Sequence, residues 1–429
     1  MPLCRVNLAL AAVGCAASTL LSPSTALAGF PAENVSLFSH LTLADLNAEF
    51  AEDCWGYVSK SGREYAIIGL AQGPGFVEIT DPANPVIVDI INTPNRARDM
   101  KVYGHYVYTS SDGGPLNVID VSQIDDGIIT LVDSFPKGAA HNVVIDEVSG
   151  FLYLAGGGSL AALDLANPEL PVFAGLWNGQ THDAQVVTYT EGKYAGRQIA
   201  FVFAGGSGNV DIVDVTDKSK MFLMGSTSYP DAAYTHQGWL SDDRHYLYVS
   251  DELDSIQRTS MFDVSDLTSP KFIGDFASTA PTATDHNLYV RDGFIFETNY
   301  TSGLRVFNAC DPLNPIEVGF FDTFPANNNP SFSGAWSNYP FFPSGTVIVS
   351  DRSGGLFVLD VSQATAGGCG GCEADLDGDN VVGVKDLLFL LGVWGPCPKK
   401  EDCPADFDGD NVVGVKDLLF LLGVWGPCP

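Results

Sequence analysis

Four histidines recur in similar short motifs, and acidic loops are interspersed between them. The motifs are AHN (140–142), THD (181–183), THQ (235–237) and DHN (285–287), with His141, His182, His236 and His286. The loops SSDGG (110–114), SDE (250–252) and SDRSGG (350–355) add Asp112, Asp251, Glu252 and Asp351. Imidazoles and carboxylates around one pocket can bind a transition metal or transfer protons. A plainer alternative is that each repeated histidine bonds a backbone carbonyl of the neighbouring repeat.

A second set of chemistry-bearing residues lies in a duplicated tail, since DNVVGVKDLLFLLGVWGPCP occurs at 379–398 and again at 410–429. Positions 1, 3, 5, 7 and 12 of the two loops are Asp375, Asp377, Asp379, Val381 and Asp386, then Asp406, Asp408, Asp410, Val412 and Asp417. This spacing suits a calcium loop of the EF-hand type, in which position 7 contributes a backbone carbonyl. Asn380 and Asn411, at position 6, tolerate a left-handed backbone. The sequence therefore predicts two bound calcium ions.

The tail resembles a type I dockerin over about residues 372–429. The resemblance depends on Asp at position 12, on the tandem loops without a preceding helix, and on the apolar helix KDLLFLLGVW after each loop. It implies that positions 10 and 11 recognise a partner; these are Val384, Lys385, Val415 and Lys416. The familiar Ser/Thr pair is missing there, so the implied partner is either a cohesin-like protein or a cell-envelope anchoring protein.

The elements that must position the histidines are revealed by a repeat. An apolar strand ending in an acid or amide occurs as FVEIT (76–80), NVIDVS (117–122), AALDLA (161–166), DIVDVT (211–216), MFDVS (261–265), RVFNAC (305–310) and FVLDVS (357–362). The copies recur about every 47 residues, the length of a four-stranded propeller blade. We predict an all-β, seven-bladed propeller over residues 29–362, in which VSLFSHLTL (35–43) closes the last blade and removes an exposed sheet edge. The repeat-end acids at 120, 164, 214, 263 and 360 are expected to accept hydrogen bonds from the following turns.

The segments NVIDV, DIVDV and FVLDV resemble the LVIVD repeat of bacterial and archaeal surface proteins, over roughly residues 35–362. The resemblance implies a cell-surface propeller without an established general activity. Because the loop before the first strand of a blade lies at one mouth of the central channel, the four histidines are expected to ring that mouth. Arg98-Asp99 and Trp336-Ser337 occupy the equivalent places in two other repeats. For the histidines we expect first that they bond backbone carbonyls, second that they bind a metal or another ligand, and third that they act in catalysis.

The ends of the chain and its charge limit the classes of partner. Residues 1–28 have the pattern of a signal peptide cleaved after Ala28, with lipid attachment at Cys15 as the alternative. No apolar stretch of about 18 residues follows, so no transmembrane segment is expected there. A balance of 21 basic and 52 acidic residues gives a net charge of −31, which disfavours nucleic acid as a partner.

Cysteines concentrate in the tail, after a glycine-rich linker at 363–371 and within the dockerin-like repeats at 372–429. In an exported protein, cysteines crowded in this way predict disulfides. We expect Cys372–Cys397 and Cys403–Cys428, each framing one loop and its helix and contributing roughly 2–4 kcal/mol. Cys54, Cys310 and Cys369 are not assigned.

These patterns favour a secreted, non-enzymatic binding or scaffold protein held at the cell surface. The propeller would present a recognition face to a protein or glycan, and the tail would dock in a calcium-dependent manner. The alternative is a carbohydrate-active or metal-dependent enzyme using the mouth, where cleavage of glycans requires a carboxylate pair across the pocket. No G-x-S-x-G or H-E-x-x-H motif occurs in the sequence.

Overall fold

The computed structural model describes residues 29–135, 140–156, 158–253, 256–280, 282–366, 368–369, 374–377, 381–397 and 403–427. The predicted signal peptide (1–28) lies outside the described residues. So do Asp379, Asn380, Cys372 and Cys428 among the residues singled out in the tail.

The body of the chain consists of short antiparallel strands grouped into sheets. Two strands come first, β1 (Ala32–Glu33) and β2 (Ser36–Leu41). Blades 1 and 2 contain β3 (Ala51–Val58), β4 (Glu64–Leu70), β5 (Gly73–Glu78) and β6 (Val86–Ile90), then β7 (Met100–Tyr103), β8 (Tyr106–Thr109), β9 (Leu116–Gln123) and β10 (Ile128–Phe135). Blades 3 and 4 contain β11 (Asn142–Asp146), β12 (Phe151–Ala155), β13 (Leu160–Asp164) and β14 (Val172–Trp177), then β15 (Asp183–Thr188), β16 (Gln198–Phe203), β17 (Asn209–Asp214) and β18 (Phe222–Ser228).

The remaining blades follow the same order. Blades 5 and 6 contain β19 (Thr235–Leu240), β20 (Tyr246–Asp251), β21 (Thr259–Asp263) and β22 (Lys271–Phe276), then β23 (Asn287–Arg291), β24 (Phe294–Thr298), β25 (Leu304–Asn308) and β26 (Ile316–Phe321). Blade 7 has β27 (Ala335–Tyr339), β28 (Thr346–Asp351) and β29 (Gly355–Asp360). Within the described residues up to 362 the strands therefore form seven sheets of four or five strands, and the predicted seven-bladed propeller is confirmed.

The ring closes through the N-terminal segment. Strand β2 pairs antiparallel with β29, with Ser36 opposite Asp360, and becomes the outer strand of blade 7. The predicted closing strand is thus confirmed. Strand β1 was not predicted; it pairs with β26 and adds a fifth strand to blade 6. The N-terminal segment therefore covers the outer edges of two adjacent blades, which leaves fewer strand edges unpaired.

The acids and the amide that end the repeats have a local role. Their side-chain oxygens accept hydrogen bonds from the backbone N–H two residues later at Asp120, Asp164, Asp214, Asp263, Asn308 and Asp360, over 2.7–3.0 Å. These Asx-type turns bend the chain out of the third strand of each blade. The predicted role of the five repeat-end aspartates is confirmed.

The hydrophobic core lies between adjacent blades. Phe201 and Phe203 of blade 4, for example, are fully buried in one cluster with Leu247, Val249 and Phe262 of blade 5. Each central strand is covered on both faces, which explains why these strands read as continuous apolar runs in the sequence. The first strand of each blade is thereby held along the central channel, where its side chains form the candidate site.

The tail forms a separate small core from its two repeats. Its elements are β30 (Val381–Val382), α1 (Val384–Gly392), β31 (Gly395–Pro396), β32 (Val412–Val413), α2 (Val415–Gly423) and β33 (Gly426–Pro427). Strand β30 pairs with β33 and β31 with β32, so each repeat pairs with strands of the other. Leu390 and Leu421 are fully buried between the repeats. Among the described residues, no helix has the length and apolar character needed to cross a membrane.

The predicted tail disulfides are wrong, because the structure joins Cys397 to Cys403. Cys397 follows β31, whose pairing with β32 places it beside the second repeat, and its N–H donates to the Asn411 carbonyl at 2.9 Å. The bond therefore links the two repeats across six positions of sequence, and neither Cys372–Cys397 nor Cys403–Cys428 can form at the same time.

A second disulfide joins the linker to the propeller. Cys369 is bonded to Cys310, in the turn that follows β25 of blade 6. Cys54 is buried and has a free thiol. The glycine-rich segment after the last blade is consequently anchored to blade 6 a few residues before the tail begins.

Candidate functional site

Seven residues at or near the starts of the inner strands surround one mouth of the channel. In blade order they are Glu52, Arg98, His141, His182, His236, His286 and Trp336, which we call the histidine rim. Contacts between β3 and β27 close the circle of inner strands between the first and last blades. The four predicted histidines thus come from consecutive blades, 3 to 6, and the structure brings them together.

The four imidazoles contact one another in a continuous arc, with adjacent ring planes tilted by 36–52°. The ring centroids are 4.8 Å apart for His141 and His182, 4.3 Å for His182 and His236, and 4.3 Å for His236 and His286. The arc ends on the indole of Trp336, 4.6 Å from the His286 centroid. Such close spacing of four basic rings has an electrostatic consequence, since they cannot all be charged at once.

Arg98 bridges the two ends of this arc. Its guanidinium lies 4.5 Å from the centroid of Trp336, and it hydrogen-bonds the Glu52 carboxylate at 2.9 Å and His141 Nε2 at 3.2 Å. The Asp112 carboxylate accepts a hydrogen bond from His141 Nδ1 at 2.9 Å. That hydrogen bond and the nearby Arg98 hold the pKa of Asp112 well below its usual range.

Two of the four rim histidines, His182 and His286, bond backbone carbonyls of the next blade, so the plainer expectation holds for these two. His182 Nδ1 donates to the His236 carbonyl at 2.8 Å, and His286 Nδ1 donates to the Trp336 carbonyl at 2.5 Å. Donation from Nδ1 places the remaining lone pair of a neutral imidazole on Nε2. His182 and His286 therefore join neighbouring blades through Nδ1, and their Nε2 atoms keep a lone pair that can bind another group.

Burial keeps these imidazoles neutral near pH 7. Removal from water lowers the pKa of His182 and of His286 well below the usual value, and their histidine neighbours lower it further. Burial lowers the pKa of His236 to about 3. Its Nδ1 is buried and makes no regular hydrogen bond. Three adjacent neutral nitrogen donors at one mouth are an arrangement suited to metal binding.

The predicted carboxylates divide into two groups. Asp112 contacts the rim through His141, and Glu252 lies between His236 and His286, 3.7 and 3.6 Å from their Nε2 atoms. Asp251 instead accepts hydrogen bonds from the N–H groups of Ala233 and Tyr234 and from the Tyr229 hydroxyl.

Asp351 also bonds within its own loop, where it accepts hydrogen bonds from the N–H groups of Ser353 and Gly354. Of the two adjacent predicted carboxylates at the end of β20, Glu252 therefore contacts the histidines and Asp251 does not.

A layer of acids lies one residue further along the inner strands. Asp53, Asp99 and Asp183 are grouped around Lys101, whose Nζ is 2.6 Å from Asp99 Oδ1. Burial raises the pKa of Asp53, and the neighbouring Asp99 raises it further. Burial also raises the pKa of Asp183 to about 7, again with help from Asp99. One lysine cannot neutralise three carboxylates, so at neutral pH part of this group carries protons.

The opposite end of the channel is aromatic, which sequence reasoning missed. Trp55, Trp239, Tyr289 and Tyr339 surround Phe341, with ring centroids 5.4–6.3 Å from its own. A cavity of about 330 Å³ adjoins these rings. Four of the rings come three residues after a rim residue on the same strand, and that offset was the signal available in the sequence.

The tail loops bring three of their predicted ligands together in each repeat. Oxygen atoms of Asp375, Asp377 and Asp386 lie within 4.8 Å of one another, as do those of Asp406, Asp408 and Asp417. Asp417 accepts hydrogen bonds from the N–H groups of Phe407, Asp408 and Gly414 at 2.7–3.3 Å. These bonds fix the position-12 carboxylate in the loop and cap α2. The predicted left-handed backbone at Asn411 is confirmed by its φ of 66°.

One atom in the second loop indicates that the donor set fits a hard cation. Asp406 Oδ1 is buried and has no hydrogen-bond partner, which is costly for a carboxylate oxygen unless a cation is bound. Lys416 Nζ lies 2.8 Å from Asp408 Oδ2 and partly balances the charge. Carboxylate and carbonyl oxygens at this spacing are the kind of ligands that calcium prefers.

The fold and the rim together define the class of this protein: it is a β-propeller repeat protein with a polar, histidine-lined mouth. A family model described as the LVIVD repeat matches residues 94–124 and 200–228. These ranges cover β7–β9 of blade 2 and most of β16–β18 of blade 4. No curated protein matches the chain.

Proposed function

We propose that this chain is an exported, non-enzymatic binding or scaffold protein that is held at the cell surface. In this proposal the propeller presents a recognition face to a protein or glycan. The tail binds two calcium ions and docks to a cohesin-type or surface-anchoring partner. The observation that carries the docking part is the pair of equivalent apolar surfaces on the two tail helices.

These surfaces are exposed to the same extent on both helices. Val384 and Val415 are each 63 % exposed, and Leu388 and Leu419 are each 62 % exposed. The two repeats have the same sequence over twenty residues and pair with each other's strands, so the two surfaces are equivalent. Apolar side chains that stay exposed after a domain has formed its core are typical of protein interfaces.

The loops support calcium dependence of this surface. Val384 and Lys385 open α1 directly after the first loop, and Val415 and Lys416 open α2 in the same way. An ion that fixes a loop also fixes the first turn of its helix, because the position-12 aspartate belongs to both. Calcium would therefore orient the residues proposed to contact the partner.

Calcium binding is tested by isothermal titration of the full chain after treatment with a chelator. We expect two equivalents of Ca²⁺ for the unmodified chain and one for Asp417→Asn, which removes one carboxylate ligand. Asp360→Asn is the matched control, because Asp360 ends β29 of the propeller and belongs to neither loop. Equal stoichiometry in Asp417→Asn and the unmodified chain would contradict the assignment of the second loop.

Docking is tested with immobilised full chain and two binding partners, a purified cohesin-type module and the envelope fraction of the producing cell. Because the surfaces are equivalent, Leu388→Asp or Leu419→Asp alone should retain the partner within about twofold, the statistical factor for losing one of two sites. The double variant and added chelator should both abolish binding. Binding that survives the double variant would exclude these surfaces as the docking site.

A further inference from the structure

A compact group of potential metal ligands lies within the histidine rim. His236 belongs to β19, Glu252 follows β20, and His286 precedes β23, so blades 5 and 6 both contribute. One ligand atom from each residue lies within 4.8 Å of the other two. The Nε2 atoms of His236 and His286 lie 3.7 and 3.6 Å from Oε2 and Oε1 of Glu252, respectively.

These separations are close to those around one transition-metal ion. Two ligand atoms bound at roughly 2.0–2.2 Å to the same tetrahedral ion stand about 3.4 Å apart. The distances from the two nitrogens to the two carboxylate oxygens exceed this by only a few tenths of an ångström, so small side-chain rotations would bring both nitrogens and the carboxylate onto one ion.

The hydrogen bonding of His286 leaves its Nε2 lone pair beside a carboxylate oxygen of Glu252, a contact that a cation would stabilise. Because His286 Nδ1 donates to the Trp336 carbonyl, the neutral imidazole has an unprotonated Nε2. That lone pair faces Oε1 of Glu252, which already accepts a hydrogen bond from the Tyr300 hydroxyl at 2.7 Å. Two acceptors that face each other in a buried site repel, unless a proton or a metal ion lies between them.

Burial holds both imidazoles in the form that binds a metal. His236 and His286 are almost completely buried, which disfavours the charged form of either ring. Neutral imidazoles are the form that ligates metals, and a second ring nitrogen bonded to a carbonyl is the usual support of a metal-bound histidine.

We propose that His236, His286 and Glu252 bind one divalent transition-metal ion at the mouth of the propeller. Two imidazoles and one carboxylate suit zinc and its first-row neighbours rather than calcium, which prefers oxygen ligands alone. The Glu252 side chain, 16 % exposed, is the member closest to solvent, so the ion enters beside it. Three protein ligands leave at least one coordination position for water or an external ligand.

The site is separate from the tail and independent of its proposed calcium loops. Zinc is therefore measured with the full chain in excess Ca²⁺, which occupies the aspartate loops first. After removal of metals with a chelator, the chain is incubated with Zn²⁺, passed over a desalting column and analysed by atomic emission. Cobalt(II) provides a second measurement, because its visible absorption reports coordination by nitrogen and oxygen ligands.

We expect one equivalent of zinc in the unmodified chain. Glu252→Gln, which keeps the size of the side chain, should weaken zinc binding at least tenfold, and His286→Ala should abolish it. His245→Ala is the matched control, since His245 forms an exposed pair with Asp243 at 3.2 Å and should retain the full equivalent. Circular dichroism checks that each variant is folded.

Two results would overturn the proposal. One is that the unmodified chain retains less than about a tenth of an equivalent of zinc and gives no cobalt spectrum. The other is that folded Glu252→Gln binds zinc as tightly as the unmodified chain, since this places the ion elsewhere. Neither result would alter the calcium stoichiometry, so failure here is distinguishable from failure of the tail assignment.

Discussion

Acidification should destabilise the propeller through His236, and the size of the effect follows from burial of its side chain. Burial lowers the pKa of His236 from 6.5 to about 3 in the folded chain. Between these values the unfolded chain binds a proton that the folded chain does not bind. Stability is therefore complete above pH 6.5 and is lost as the pH falls towards 3.

The expected loss can be worked out for one pH step. A pH of 5 lies 1.5 units below the pKa of 6.5 of the imidazole in the unfolded chain. At roughly 1.4 kcal/mol per unit, the free energy of unfolding is therefore lower by about 2 kcal/mol at this pH. His182 and His286, whose pKa values burial also lowers, act in the same direction. Replacing His236 by glutamine removes its own contribution and leaves the others.

The assay is urea unfolding at pH 7.5 and 5.0 in the presence of a chelator, followed by the fluorescence of the tryptophans, which include Trp336 beside His286. The free energy of unfolding should fall by about 2 kcal/mol more in the unmodified chain than in His236→Gln. His245→Gln, at an exposed histidine, serves as the control and should behave as the unmodified chain does. Equal pH dependence in the unmodified chain and His236→Gln would refute a buried, neutral His236.

Two further predictions concern stability. Replacing Cys310 and Cys369 by serine opens a loop of 59 residues, so the free energy of unfolding should fall by about 4 kcal/mol on the chain-entropy estimate; a loss below about 1 kcal/mol in urea unfolding would contradict this linkage. Gly175→Ala places a Cβ 1.8 Å from the Lys218 carbonyl oxygen of the next blade and should cost about 1–3 kcal/mol. Gly206→Ala meets its nearest atom at 4.0 Å and should change stability by less than about 0.5 kcal/mol; similar melting temperatures for the two variants would disprove the clash.

The features that the sequence predicts correctly are those whose pattern recurs from repeat to repeat. The repeat-end acids, such as Asp120 and Asp164, depend on hydrogen bonds within two residues, so the local pattern suffices. The closing strand could be predicted because a ring of seven blades with three strands in the last one leaves a single strand to be supplied. The histidines share one position in four repeats, and the propeller topology converts that position into a place on the mouth.

The features that were missed depend on contacts between segments distant in sequence or on exchange between repeats. The tail disulfide could not be predicted, because the sequence of each repeat suggests a closed unit, whereas β31 pairs with β32 of the other repeat. The preference for Glu252 over Asp251 depends on which of two adjacent side chains faces the channel, and a loop has no periodicity that fixes this. Strand β1, two residues long, carries too little pattern to be recognised.

Bonding of carbonyls and binding of a ligand are compatible roles for the rim histidines, because they use different nitrogens. His182 and His286 join adjacent blades through Nδ1, and this bond keeps Nε2 unprotonated. The same rim is asymmetric: blades 3 to 6 contribute imidazoles, whereas blades 7, 1 and 2 contribute Trp336, Glu52 and Arg98. A ligand at the mouth would therefore meet neutral nitrogen donors on one side and, on the other, an indole beside a guanidinium that is already paired with the Glu52 carboxylate. The capacity of the rim to bind a further group consequently lies on the imidazole side.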